Sequence, residues 1–261
     1  MTLLTNEIRL IDGFTETLII STADRRLTYP KENNRKKKYE SGKKLFKIEH
    51  LNATVSYWGN CVLINEKGNQ EFYFSWLPNF IRKSYHIDNL MEFARKLKAE
   101  LNIRVPAQTL REYASGFHLA GYTKKGEPEF IHFSNCNWNS SKVIYENILY
   151  AYKEPYADFL EEHAKQFGWD GHNASSVKAK NESMTYRNGD IKIHEAAWGK
   201  LDEVFRTVFS FSDFKTISTK KTDDLEQLVR LKLKFIGDIY NRYAYTNWVG
   251  GPFDVIILKR R

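Results

Sequence analysis

Thr2 follows the initiator methionine directly. A small hydroxyl residue in that position becomes N-terminal once Met1 is removed, and it then carries a nucleophile and an amine base on one residue. Such a group needs a carboxylate and an ammonium beside it. Asp24 and Lys44 are the residues placed to supply them, Asp24 at the end of a return strand and Lys44 at the head of a third. Thr2 and Asp24 are equidistant from Gly13, so a regular antiparallel pair turning there would set them opposite each other at its open end. Each residue also has a plainer reading. Met-Thr is a common start, Asp24 could pair with Arg25 or Arg26, and Lys44 belongs to a basic cluster running from Lys31 to Lys47.

The chemistry depends on the elements around it. Residues 2–11 and 17–27 read as two strands around Asp12-Gly13, a hairpin signal lengthened by Phe14-Thr15-Glu16. Residues 28–41 read as a polar loop, followed by strands over Lys44–Ile48 and Ala53–Ile64. Trp76, Leu77, Phe80 and Ile81 repeat at helical spacing. Asp88 is then expected to cap an amphipathic helix carrying Leu90, Phe93, Ala94, Leu97 and Leu101, which ends before Pro106. A second hairpin joins Gly116–Tyr122 to Glu129–Phe133. Val143, Ile144, Ile148 and Leu149 suggest a helix near 140, and a Gly, Asn, Ser and Lys-rich stretch reads as a loop before helices at 190–210 and 223–244. Phe253–Leu258 is a final strand. Asn188 and Asp190 read as a helix N-cap pair, and His194 and Trp198 as core or interface aromatics.

The 261-residue chain is 42% hydrophobic and 15% aromatic, enough to bury a substantial core. Its two cysteines, Cys61 and Cys136, show no CxxC spacing, and its seven histidines form no HExxH or paired motif, so neither a disulfide framework nor a metal site is expected. Cofactors are not expected either, because no GxGxxG, P-loop or GxSxG context occurs. Charges at Glu7, Arg9 and Asp12 argue against a signal peptide, and no apolar run is long enough to span a membrane, which makes a cytoplasmic protein the expectation. The net charge of +8 would suit a polyanion. Much of it lies in the 31–47 segment without an accompanying nucleic-acid motif, so a nucleic-acid partner is not expected.

The strand and helix order resembles that of the proteasome β-subunit branch of the N-terminal-nucleophile (Ntn) hydrolases, as a distant bacterial relative. The motifs behind it are Thr2, Ala23-Asp24-Arg25-Arg26, Lys43-Lys44-Leu45-Phe46-Lys47-Ile48 and the terminal Gly250-Gly251-Pro252-Phe253-Asp254-Val255-Ile256-Ile257. The similarity covers about residues 2–135 and 188–258, with 136–187 an enlargement within a single domain over 1–261. It implies an α+β, four-layer αββα sandwich and threonine-dependent hydrolysis of peptide or other amide bonds by a homo-oligomer, a ring being possible. Residue by residue, Thr2 matches the nucleophile, Asp24 and Lys44 its partners, and Arg26 the arginine after the aspartate. The oxyanion position falls on Trp58, or on Gly59 with a one-residue shift. Arg187-Asn188-Gly189-Asp190 stands nearest to the family's Ser-Gly-Ser segment. Where the family has an aspartate and a serine near the C-terminal turn, this chain has Thr246 and Val249. That departure gives the alternative reading, a proteasome-like scaffold or binding subunit that has lost catalysis.

Overall fold

The computed structural model describes residues 2–11, 16–28, 39–139, 144–157, 169–170, 173–174, 183–189, 192–211, 221–245 and 249–260. The elements that position the N-terminus are two antiparallel sheets. The first is built from β1 (Leu3–Ile11), β2 (Glu16–Asp24), β16 (Ser183–Gly189) and β17 (Phe253–Lys259), in the order β16-β1-β2-β17. The second is built from β5 (Leu45–Ile48), β6 (Ala53–Trp58), β9 (Gly116–Tyr122), β10 (Pro128–Ser134) and β13 (Tyr156–Ala157), in the order β13-β10-β9-β6-β5. Short pairs complete the strands: β3 (Arg26–Thr28) with β4 (Tyr39–Ser41), β7 (Val62–Ile64) with β8 (Gln70–Phe72), β11 (Cys136–Asn139) with β12 (Ile144–Ile148), and β14 (Trp169–Asp170) with β15 (Asn173–Ala174).

Helices α1 (Tyr73–Lys83) and α2 (Leu90–Arg104) cover the outer face of the second sheet, and α3 (Ala107–Glu112) leads back into β9. On that side Leu77, Phe80, Phe93, Ala94, Leu97 and Leu101 form one core with Val55, Tyr57, Phe117, Leu119, Ile131 and Phe133. Alternate strand residues meet a helical stripe, as the two periodicities require. Helices α4 (Lys192–Val208) and α5 (Thr222–Tyr243) cover the first sheet, where Trp198, Leu225, Val229, Leu233 and Ile236 pack on Leu3, Leu18, Ile20 and Val255. The result is helix pair, sheet, sheet, helix pair.

Several expectations change against these elements. The helix expected near 140 is a strand, β12, paired with β11 across a bulge at Asn137 and Trp138. Ile144 and Ile148 are β-branched residues whose i, i+4 spacing fits either period, and pairing with Cys136–Asn139 decides for the strand. The loop expected over 28–41 is bounded by the β3–β4 pair. The single strand expected over 53–64 is split, because Gly59 has φ +78° and a Cβ there would lie 2.1 Å from the Ala114 carbonyl oxygen. Asn89, rather than Asp88, caps α2, its side chain accepting from Glu92 N at 2.8 Å. Asp88 instead pairs with Lys124 at 2.5 Å.

Polar groups stitch the layers together. Between the sheets, Asn6 Nδ2 donates to His118 Nδ1 at 3.1 Å, Ser21 Oγ donates to Asn6 Oδ1 at 2.8 Å, and the Ser21 and Thr54 hydroxyls are 2.7 Å apart. Beneath α4 and α5, Glu7 accepts from Arg9 Nε at 2.6 Å and from Trp198 Nε1 at 3.1 Å. Burial pushes the Glu7 carboxyl upward, but the charges of Arg9 and Lys232 and these hydrogen bonds outweigh it and hold it below the ordinary value. Lys232 is buried over the Trp198 ring, 3.6 Å from its centroid, and pairs with Asp202 at 2.8 Å. His194 stacks on the same indole at 4.3 Å and accepts from Arg187 Nε at 3.0 Å, so it is a core aromatic as its spacing suggests.

His118 and His194 both use Nδ1 as an acceptor, so protonating either ring inside the fold would break a bond as well as bury a charge. Burial lowers both to about 3, helped by His132 for His118 and by Arg187 and Lys232 for His194. An imidazole of the unfolded chain titrates near 6.5. Between the two values the unfolded chain binds the extra protons, so stability falls as pH falls, by about 1.4 kcal/mol per pH unit for each ring. Glu129, which burial raises to about 7, titrates in the same window with the opposite sign and offsets about one ring's share; urea midpoints measured from pH 7 to pH 5 should still drop, and His118→Gln should flatten the slope. A midpoint independent of pH over that window would contradict the buried neutral assignment.

Candidate functional site

Thr2, Asp24 and Lys44 converge at one end of the sandwich, and each is almost wholly buried, with 4%, 0% and 2% of its surface exposed. Lys44 lies just ahead of β5, whose pairing with β6 is extended by Tyr57 N donating to the Lys44 carbonyl at 3.2 Å. Its Nζ donates to Thr2 Oγ1 at 2.6 Å, to Asp24 Oδ1 at 3.0 Å and to the Arg26 carbonyl at 2.5 Å. An ammonium has three protons, and here all three are directed at oxygen.

Asp24 ends β2 and is held as firmly. Its Oδ1 accepts from Leu3 N at 2.9 Å in addition to Lys44, and its Oδ2 accepts from Arg26 N at 3.2 Å and Gly250 N at 3.4 Å. The register differs by one residue from the symmetric pairing about Gly13. Leu4 pairs with Ala23 and Thr5 with Thr22, which puts Leu3 rather than Thr2 opposite Asp24. Ile11 and Glu16 form the last pair of the ladder. Asp24 therefore reaches Thr2 through Lys44 and the Leu3 amide, not as a cross-strand neighbour.

Arg26 does not point at the threonine. Its guanidinium donates to the Val249 carbonyl at 3.3 Å and to Asn241 Oδ1 at 3.0 Å, tying the C-terminal turn to α5, while its backbone carbonyl holds Lys44. Trp58 is buried against Leu4, Ala23 and Leu45, and the exposed Gly59 follows it at the end of β6 nearest Lys44. Asn188 is in β16 rather than at a helix N-cap, and its side chain accepts from Gly189 N at 2.7 Å. Asp190 lies outside the described residues.

Three residues have a part here that their sequence context did not show. Gly189 has φ +90°, and a Cβ there would be 1.5 Å from the Thr2 carbonyl oxygen, so only glycine lets β16 close on the N-terminus. Gly250 supplies an amide to Asp24. Cys61 is half-buried, and its thiol is pushed up to about 11 by burial despite the nearby charge of Lys44, which keeps it protonated. Asn-Gly and Gly-Gly dipeptides were the available signals for the glycines; nothing local marked Cys61.

A first sheet that begins at this threonine, faces a second sheet and is flanked by two helix pairs has the layer order that the resemblance implies. No family profile and no curated protein matches the sequence. Among solved structures, the chain is similar to Anbu, an ancestral β-subunit from Yersinia bercovieri, at 14% identity and a TM-score of 0.40, covering 99% of this chain and 81% of that one. Among the described residues no group of His, Cys, Asp and Glu side chains is arranged to hold a metal ion, and no helix is long and apolar enough to cross a membrane.

Proposed function

We infer that the chain is a threonine hydrolase that cleaves peptide or related amide bonds after removal of Met1 exposes Thr2. The observation that carries this reading is the saturation of Lys44, whose three donors are spent on Thr2, Asp24 and the Arg26 carbonyl. An ammonium in that state cannot take a proton, and Asp24 is occupied by its own donors. The base for the Thr2 hydroxyl must be another group, and a free α-amine on the same residue is suited to it because its ordinary pKa lies near 8.

In the reaction so framed, the Thr2 amine, directly or through water, takes the hydroxyl proton as Oγ1 bonds to the amide carbonyl carbon. Lys44 stabilises the developing negative charge on Oγ1, and Asp24 keeps Lys44 in place. Backbone N–H groups at Trp58 and Gly59 receive the oxyanion. The proton passes from the amine to the leaving nitrogen as the C–N bond breaks, which leaves an ester on Thr2. Water, deprotonated by the same amine, then attacks the ester, and the amine returns that proton to Oγ1 as the C–O bond breaks and the acid leaves.

The scaffold reading keeps one specific observation in its favour. Val249, at the position of a family serine, is fully buried and cannot carry a proton. Electrophilic probes separate the two. A peptide epoxyketone or β-lactone should label Thr2 of the processed protein stoichiometrically; a processed protein that stays unlabelled at millimolar probe is a scaffold. Assembly into a closed homo-oligomer belongs to the same proposal. Val204, Leu231, Phe235 and Tyr243 on α4 and α5 are exposed by 53%, 45%, 46% and 77%, and a neighbouring subunit would cover them.

A further inference from the structure

At the opposite end of the second sheet from Thr2 lies a cleft of about 560 Å³, formed where the β5–β6 turn, the α1–α2 connection and the β9–β10 turn meet. The length of β9 separates the two places, about 20 Å at the usual rise of a strand. The volume is in the range of small-molecule sites. Glu129, near the start of β10 and on the same face as Ile131, lines the cleft half-buried. Among the described residues no hydrogen-bond donor or cation reaches its carboxyl.

A half-buried carboxyl without a partner is costly in its charged form, and the effect is visible here. Burial, with a smaller push from Glu127, raises Glu129 to about 7. The cations at the cleft margin are engaged elsewhere: Lys124 pairs with Asp88, and Arg260, whose guanidinium lies against Gly126, donates to the Lys125 carbonyl at 3.0 Å. His50, on the β5–β6 turn, is exposed to solvent. Glu129 is the carboxyl of the lining that no described cation reaches. In the same lining Tyr85 is 75% exposed, and its ring is a surface on which an organic cation can rest.

We propose that this cleft is a binding site for an organic cation, a primary ammonium or guanidinium group on an aliphatic stem, with Glu129 as its counter-ion and Tyr85 as its wall. The apolar part of the lining takes the stem, and the cation supplies the partner that Glu129 lacks. Neither residue belongs to the Thr2 site, so the proposal stands apart from the hydrolase reading.

The test is a titration of the intact protein with n-butylamine, followed by calorimetry or by amide NMR shifts around β10, at pH 6 and pH 8. The ionised fraction of a carboxyl near pH 7 rises from about one tenth to about nine tenths over that range. Binding should tighten by about nine-fold. E129Q should weaken binding at pH 8 by at least about ten-fold and remove most of the pH dependence. Y85A, a surface change that spares the fold, should weaken binding by about two- to five-fold, as loss of an exposed cation–π contact implies. The proposal is overturned if E129Q binds n-butylamine as well as the parent does, if 1-butanol binds equally well, or if no binding is seen at millimolar concentration.

Discussion

Asp24→Ala should destabilise the protein by about 3–5 kcal/mol, the largest loss expected from any single change at the site. Truncation leaves the Lys44 ammonium buried with only neutral oxygens, Thr2 Oγ1 and the Arg26 carbonyl, and strips acceptors from the Leu3, Arg26 and Gly250 amides. Much of the cost is the stranded charge rather than the lost contacts. The double variant Asp24→Ala/Lys44→Met removes that charge and should be more stable than Asp24→Ala alone. A guanidinium unfolding series on the three variants measures this coupling directly. If the double variant were less stable than the single by the full cost of Lys44→Met, the two side chains would be acting independently and the buried pair would carry no such energy.

Lys44→Met should act mainly on chemistry. Asp24 would retain three backbone N–H donors, so the stability cost is smaller, about 1–3 kcal/mol. Thr2 Oγ1, however, loses the donor 2.6 Å away that would stabilise its developing charge. Removal of one well-placed donor to a forming oxyanion typically costs about 10²–10³ in rate, and a full positive charge supports the upper end. The second-order rate of labelling by a β-lactone should fall by about that factor while near-ultraviolet circular dichroism stays unchanged. Labelling at the parental rate in Lys44→Met would remove the lysine from the mechanism.

The parts of this arrangement that were legible in the sequence are those written in residue type and order. Thr2, Asp24 and Lys44 sit at the edges of runs with clear strand character, and the amphipathic stripe from Leu90 to Leu101 identified α2 without ambiguity. What escaped depends on pairing between distant segments. The one-residue offset of β1 on β2 is a matter of register, which the Asp12-Gly13 signal in the sequence does not fix to the residue. Ile144 and Ile148 took strand form because Cys136–Asn139 offered a partner. The exchange of capping roles between Asp88 and Asn89 reflects Lys124, distant in sequence, drawing the carboxylate away. The Asn6, Ser21, Thr54 and His118 network joins two sheets whose facing could not be read from spacing, and Gly189 gained its importance only when β16 closed against the Thr2 carbonyl.

The claim on which the rest depends is that Thr2 acts with its own free amine, since neither Lys44 nor Asp24 has capacity left to serve as base. Intact-mass measurement of the purified, hydrolytically active protein, before and after reaction with a peptide epoxyketone, tests it most directly. The expected result is a parent mass lacking Met1 and a single adduct that peptide mapping places on Thr2. An active protein that retains Met1, or an adduct on any other residue, would contradict it.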